Sequence, residues 1–140
     1  MKKTIWVALS LVFAALPVVA ENVSDAPDPV VASPDKYRVL LENEFVRVVE
    51  YEIGPGEKDN WHSHPAKVSY VVKPGTLQIT TAAGESFEAG EEEGTVRWLG
   101  AVGKHYGENI GTTPVRILLV EVKGAQDSGN DLNQFVGEKE

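Results

Sequence analysis

Histidine is scarce in this chain and unevenly placed. Of the 140 residues only three are histidine, and two of them, His62 and His64, flank Ser63. In an extended strand alternate side chains point to one face, so both imidazoles would converge within reach of a single ion. Neutral imidazole is a common ligand for divalent transition metals, which makes the pair a candidate metal site. An HxH pair also arises by chance, and on an exposed face it does nothing. His105 is the remaining histidine, and it lies on a separate segment.

The segments that must position these residues read as β-strands. Short β-rich runs occur at Tyr37–Glu42, Phe45–Ile53, Val68–Lys73, Thr76–Thr81, Thr95–Leu99 and Val115–Lys123, with shorter candidates at Glu85–Glu88 and His105–Ile110. Turn residues punctuate them: Gly54-Pro55-Gly56, Pro74-Gly75, Ala83-Gly84, Gly90, Gly94 and Gly111. Helical periodicity is not sustained anywhere in this core. The pattern predicts an all-β sandwich, jelly roll or barrel in one domain over residues 36–124. Val115–Val122 is apolar on both alternating faces, so it reads as a central strand covered on two sides, with a homodimer interface left open.

The order of glycines and histidines adds a resemblance. Gly56, His62, His64 and Gly75 fit G-x5-H-x-H-x3–4-E-x6-G, and Gly94, His105 and Asn109 fit G-x5-P-x-G-x2-H-x3-N. These are the two motifs of the cupin superfamily, and the sequence resembles its small single-domain members from about Tyr37 to Lys123. The resemblance implies a cupin jelly-roll β-barrel and a divalent metal on His62, His64 and His105. Two departures stand out. Gly100 occupies the motif proline and Gly103 stands one place late, which alters a turn and not the reach of His105. The motif glutamate, usually a metal ligand, is missing: the spacing offers Val68 or Ser69, and alignment on Tyr70-Val71-Val72 offers Lys67. Three imidazoles remain, a set that holds Zn²⁺, Fe²⁺, Ni²⁺ or Cu²⁺ with positions open for water or substrate. An inward Lys67 would repel a metal, so it is expected to turn outward or snorkel to solvent.

Around the motifs, Ser69, Tyr70, Trp98 and Tyr106, with Trp61, could line an apolar pocket, although packing in a small barrel is the plainer role of each aromatic. Ser69, Tyr70 and Tyr106 are also the only candidate acid–base groups near the histidines. Glu91-Glu92-Glu93 reads as a solvated turn. Asn109 is expected to pin the backbone after His105, and Arg47 to form a salt bridge at the barrel edge. No serine with a paired base, phosphate-binding glycine loop or close carboxylate pair is apparent. Two functions follow from the resemblance: a metal-dependent enzyme on a small molecule, oxygenase-like or an isomerase, or a non-catalytic binding or sensing module.

Composition narrows the partners. The chain has no cysteine, which removes thiolate zinc sites, thiol nucleophiles and covalent haem attachment. Lys2 and Lys3 precede an apolar run from Ile5 to Leu16, and Val18-Val19-Ala20 offers small residues before a cleavage site after Ala20. This layout predicts a secretory signal peptide over residues 1–20, and the apolar run is short for a membrane anchor. The mature protein is then expected to be periplasmic or secreted. Loss of the two lysines moves the formal charge from −8 to −10, which disfavours nucleic acid and anionic lipid. Proline-rich residues 21–35 read as a flexible leader, and polar residues 125–140 as a tail.

Overall fold

The computed structural model describes residues 26–125. The expected signal peptide and nearly all of the expected tail lie outside those residues. Nine strands follow one short helix: α1 (Pro29–Ala32), β1 (Tyr37–Glu42), β2 (Val46–Ile53), β3 (His62–His64), β4 (Lys67–Lys73), β5 (Gly75–Thr81), β6 (Ser86–Glu91), β7 (Val96–Leu99), β8 (Val102–Asn109) and β9 (Val115–Val122). They form a five-stranded sheet in the order β1-β2-β9-β4-β7 and a four-stranded sheet in the order β3-β8-β5-β6. Every pairing is antiparallel. The jelly-roll expectation holds as a sandwich of two sheets; hydrogen bonds do not close them into a continuous barrel.

Period-two alternation decides what faces inward. Along β9, Val115, Ile117, Leu119 and Glu121 are buried, while Arg116, Leu118, Val120 and Val122 are half-buried on the other face. The inward residues of β2 join them, and the core packs Tyr37, Val49, Tyr51, Ile53, Leu77, Ile79, Ala89, Val115, Ile117 and Leu119. Tyr37 and Tyr51, register partners on β1 and β2, stack with ring centroids 4.5 Å apart. The motif glycines Gly56 and Gly94 have φ of +71° and +81°, a backbone region that side chains with a Cβ disfavour. β9 is the middle strand of its sheet, as its two apolar faces predict.

The outer face of the five-stranded sheet also carries apolar residues. Register pairs run Leu41–Val48–Val120–Val68–Trp98 across all five strands, and the next row, Arg38–Glu50–Leu118–Tyr70–Val96, is apolar on β9, β4 and β7 and charged on β1 and β2. Trp98, Val96, Tyr70 and Leu41 are exposed.

The stretch before β1 corrects the leader expectation. Asp28 caps α1 by accepting from the Val30 N–H at 2.9 Å, and Pro29 suits its first turn. Ser33 is buried and its hydroxyl accepts from the Asn60 N–H. The Pro27 and Ala26 carbonyls accept from the Ser63 N–H and hydroxyl. This segment therefore covers β3, an edge strand whose outer groups would otherwise lack partners. Prolines interrupt regular structure without preventing docking, which is why composition alone misreads residues 26–35.

Candidate metal centre and its cavity

β3 and β8 build the histidine cluster. His62 and His105 are direct register partners, and His64 follows on the same face of β3 after a register shift. All three are buried, and one nitrogen from each lies within 4.8 Å of the others. The nearest pair is His62 Nε2 and His64 Nε2, 3.1 Å apart. Two nitrogens bound to one ion at 2.0–2.1 Å lie about 3.0–3.4 Å apart, so the spacing fits a shared metal.

The hydrogen bonds behind the rings fix which nitrogen is offered. His62 Nδ1 lies 2.7 Å from the Asn60 carbonyl, and His105 Nδ1 lies 2.7 Å from the Gly103 carbonyl. A carbonyl only accepts, so both Nδ1 atoms carry the proton and both Nε2 atoms present lone pairs to the cluster. His64 Nδ1 has no hydrogen bond, and Glu121 Oε1 stands 3.5 Å from it. Burial holds all three imidazoles below their ordinary value, His64 well below it and His105 at about 3. The cluster is thus neutral and competent to ligate.

Two buried carboxylates serve this cluster, and neither is visible in the motifs. Asp59 accepts from the hydroxyls of Tyr37 and Tyr51 at 3.0 and 3.1 Å and from the Gly107 N–H at 2.7 Å. The Tyr37 oxygen also lies 3.1 Å from His62 Nε2, so its single hydrogen has two acceptors. Burial raises the Asp59 carboxyl, opposed by His62, the Gly107 N–H and the two tyrosines. Glu121 accepts from Arg47 Nε at 2.5 Å, and Arg47 reaches Asp28 with another nitrogen. The salt bridge expected of Arg47 therefore forms, on β2 inside the sheet order rather than at an edge.

Lys67 overturns its expectation. It points inward, is 2% exposed, and its Nζ has no hydrogen-bond partner. Its phase on β4 matches the buried Ser69 and Val71, so an outward turn would have required a break in the strand. Burial lowers its amine to about 7, with Glu121 opposing.

Beside the histidines is a cavity of about 60 Å³ that is partly open to solvent. Its wall includes His64, His105, Lys67 and Ser69. Of the five residues expected to line a pocket, Ser69 is on the wall of this cavity and the four aromatics are not. Tyr70 and Trp98 lie on the outer face of β4 and β7, one residue out of phase with the inward set. Tyr106 packs edge-to-face on Trp61 with centroids 4.7 Å apart, and Lys58 Nζ sits 3.5 Å over its ring. Glu91 is not in a solvated turn either. It ends β6, is buried, and pairs with Arg97 at 2.7 Å on the cavity wall. Asn109 is fully buried and pins the chain as expected: it donates to the carbonyls of Ile53 and Thr113 and accepts from the Gly111 N–H.

No protein-family model and no curated protein matches this sequence. Solved structures do. A cupin domain from Bordetella pertussis Tohama I is similar at 26% identity and a TM-score of 0.58, over 63% of this chain and 92% of that one. An RmlC-like cupin family protein with a double-stranded β-helix fold from Methanocaldococcus jannaschii is similar at 20% identity and a TM-score of 0.50, over 61% and 77%. An uncharacterized conserved protein with a double-stranded β-helix domain from Klebsiella pneumoniae aligns at 20% identity and a TM-score of 0.50, over 78% and 94%.

Proposed function

The chain is a single-domain cupin, and from that premise we propose that it is an exported metalloprotein that handles a small organic molecule. The proposed metal ligands are the Nε2 atoms of His62, His64 and His105. The observation that carries this is the convergence of imidazoles of which two have Nδ1 committed to carbonyls. Without a metal, His64 Nε2–H can donate to His62 Nε2, and a shared cation would replace that hydrogen bond. The neutral nitrogen set suits zinc, iron, nickel or copper. A bound metal would supply Lewis-acid chemistry or, if redox-active, electron transfer.

The chain's own residues would do the rest. Asn60 and Gly103 carbonyls orient two rings, and Glu121 stands behind the third. Tyr37 can turn its hydrogen to Asp59 and leave His62 Nε2 free for a ligand. The apolar wall keeps bulk water from the inner end of the cavity. With a metal, oxygenase-like or isomerase chemistry is the proposed outcome. The alternative is a non-catalytic binding or sensing module. It is favoured by the state of the cavity's acids, since Asp59 and Glu91 are both engaged in hydrogen bonds.

Metal analysis of the purified mature protein tests the centre. Wild type is expected to carry about one ion per chain, and His62→Ala/His64→Ala to carry none. Equal metal load in both would overturn the reading. Export rests on the Lys2-Lys3 start, the apolar run and Val18-Val19-Ala20, and a mature chain beginning at Glu21 in an extracytoplasmic fraction would support it. The apolar residues on the outer face of the five-stranded sheet support a homodimer through that face. Among the described residues no helix is long and apolar enough to cross a membrane.

A further inference from the structure

We propose that the cavity beside the histidines binds a small organic carboxylate, anchored by Lys67 Nζ and laid against an apolar wall. This deepens the function proposed above by naming the ligand class, and it rests on that reading only for the identity of the cavity.

The argument begins with an amine that lacks a partner. Lys67 Nζ is buried, unbonded, and on the wall of the cavity. The other charged groups of that wall are engaged. Arg97 pairs with Glu91, and Asp59 accepts from Tyr37, Tyr51 and Gly107. Glu121, the register partner of Lys67, gives one oxygen to Arg47 and turns the other towards His64. Lys67 is therefore the uncommitted cation of the described cavity.

A buried ammonium without a partner is costly, and a neutral ligand would leave it so. An anion placed at Nζ removes that penalty and gains a charge-assisted hydrogen bond. One lysine matches one negative charge, which disfavours polyphosphates. Leu77, Ile79, Leu99, Ile117 and Leu119 also line the cavity, so the remainder of the ligand meets hydrocarbon. That wall favours an organic carboxylate over a free inorganic oxyanion. A divalent metal on the three neutral imidazoles would add positive charge to the same space and reinforce the preference. Lys67 thus offers a ligand positive charge on a strand where the motif places a carboxylate.

The test uses butyrate, with butyramide as its neutral counterpart, titrated calorimetrically into the mature protein with and without bound zinc. Butyrate is expected to bind wild type in both forms, and more tightly than butyramide. Lys67→Met and Lys67→Gln are expected to weaken butyrate by about tenfold or more while leaving butyramide unchanged. The two variants differ in side-chain chemistry, and cooperative melting shows that each is folded. Wild-type butyrate affinity in both variants, equal affinity for the two probes, or no butyrate binding at millimolar concentrations would overturn the proposal. Lys67-dependent butyrate binding in a protein that takes up no zinc would uphold it and sink the metal reading instead.

Discussion

Lys67 on β4 and Glu121 on β9 are direct register partners inside the sandwich, yet neither Lys67 Nζ nor Glu121 Oε1 has a hydrogen bond. Glu121 is a buried carboxylate on the strand next to the one that follows His64. It stands behind His64 and lies outside the ligand cluster. A negative charge thus stands behind His64, outside the converging imidazole nitrogens.

Removing the buried amine should stabilise the protein. Lys67→Met replaces an unsatisfied polar group with an apolar one of similar volume, a gain of about 1–3 kcal/mol at neutral pH. Urea melts of the metal-free protein check it. An unchanged or lower midpoint would show that Lys67 has a partner in solution.

Stability of the metal-free protein should depend on pH through the same residue. Unfolded, Lys67 takes up its proton below its ordinary value of 10.5; folded, only below about 7. Between those values the unfolded chain binds more protons, so stability rises with pH, by on the order of a few kcal/mol in total. Burial holds the hydroxyls of Tyr37 and Tyr51 well above 10.0, so stability should turn down once unfolded tyrosines ionise. Thermal melts from pH 7 to 10 should therefore climb in wild type and flatten in Lys67→Met. Parallel curves for the two would contradict this.

Zinc should stabilise the fold through the histidines. At a free concentration a hundredfold above Kd the gain is about 2.7 kcal/mol, and His62→Ala/His64→Ala should lose it. Glu121→Gln keeps all three ligands but weakens the group behind His64. Its zinc affinity, read by competition with a chromophoric chelator, should fall by about tenfold to hundredfold. A wild-type affinity in Glu121→Gln would deny that carboxylate any part in orienting the ring.

Asp59 should be a structural keystone. Asp59→Ala strands the Tyr51 hydroxyl and the Gly107 N–H in the core, a loss of about 3 kcal/mol or more. Asp59→Asn retains an acceptor and should cost about 1 kcal/mol. Denaturant melts of the two variants separate these expectations.

Much of this architecture is legible in the sequence because alternation and turn residues act locally. Strand β1 falls at its expected bounds, and the other strands expected in the core begin or end within a few residues of theirs. The histidine cluster is legible for the same reason, since HxH spacing and motif order need only strand phase. What escapes depends on partners distant in sequence. Glu121 could have been noticed as the one carboxylate in phase with Val115, Ile117 and Leu119, but its role needs Arg47 and His64. Asp59 needs two tyrosines and a backbone amide. Lys67 departs from the solvent-facing place expected of an isolated charge because its strand phase points it inward. Tyr70 and Trp98 lie away from this cavity for the converse reason: adjacency in sequence to an inward residue places a strand side chain on the opposite face.

Arg47 has one further consequence. With one nitrogen on Asp28 and another on Glu121, it wires the segment ahead of the first strand to the residue behind His64. The functional boundary of this domain thus falls at or before Asp28, nine residues ahead of β1. A cut between Asp28 and Tyr37 would free Arg47 to lean wholly on Glu121 and bare the outer edge of β3, so damage at the amino end would be felt as a change in the tuning of a buried imidazole.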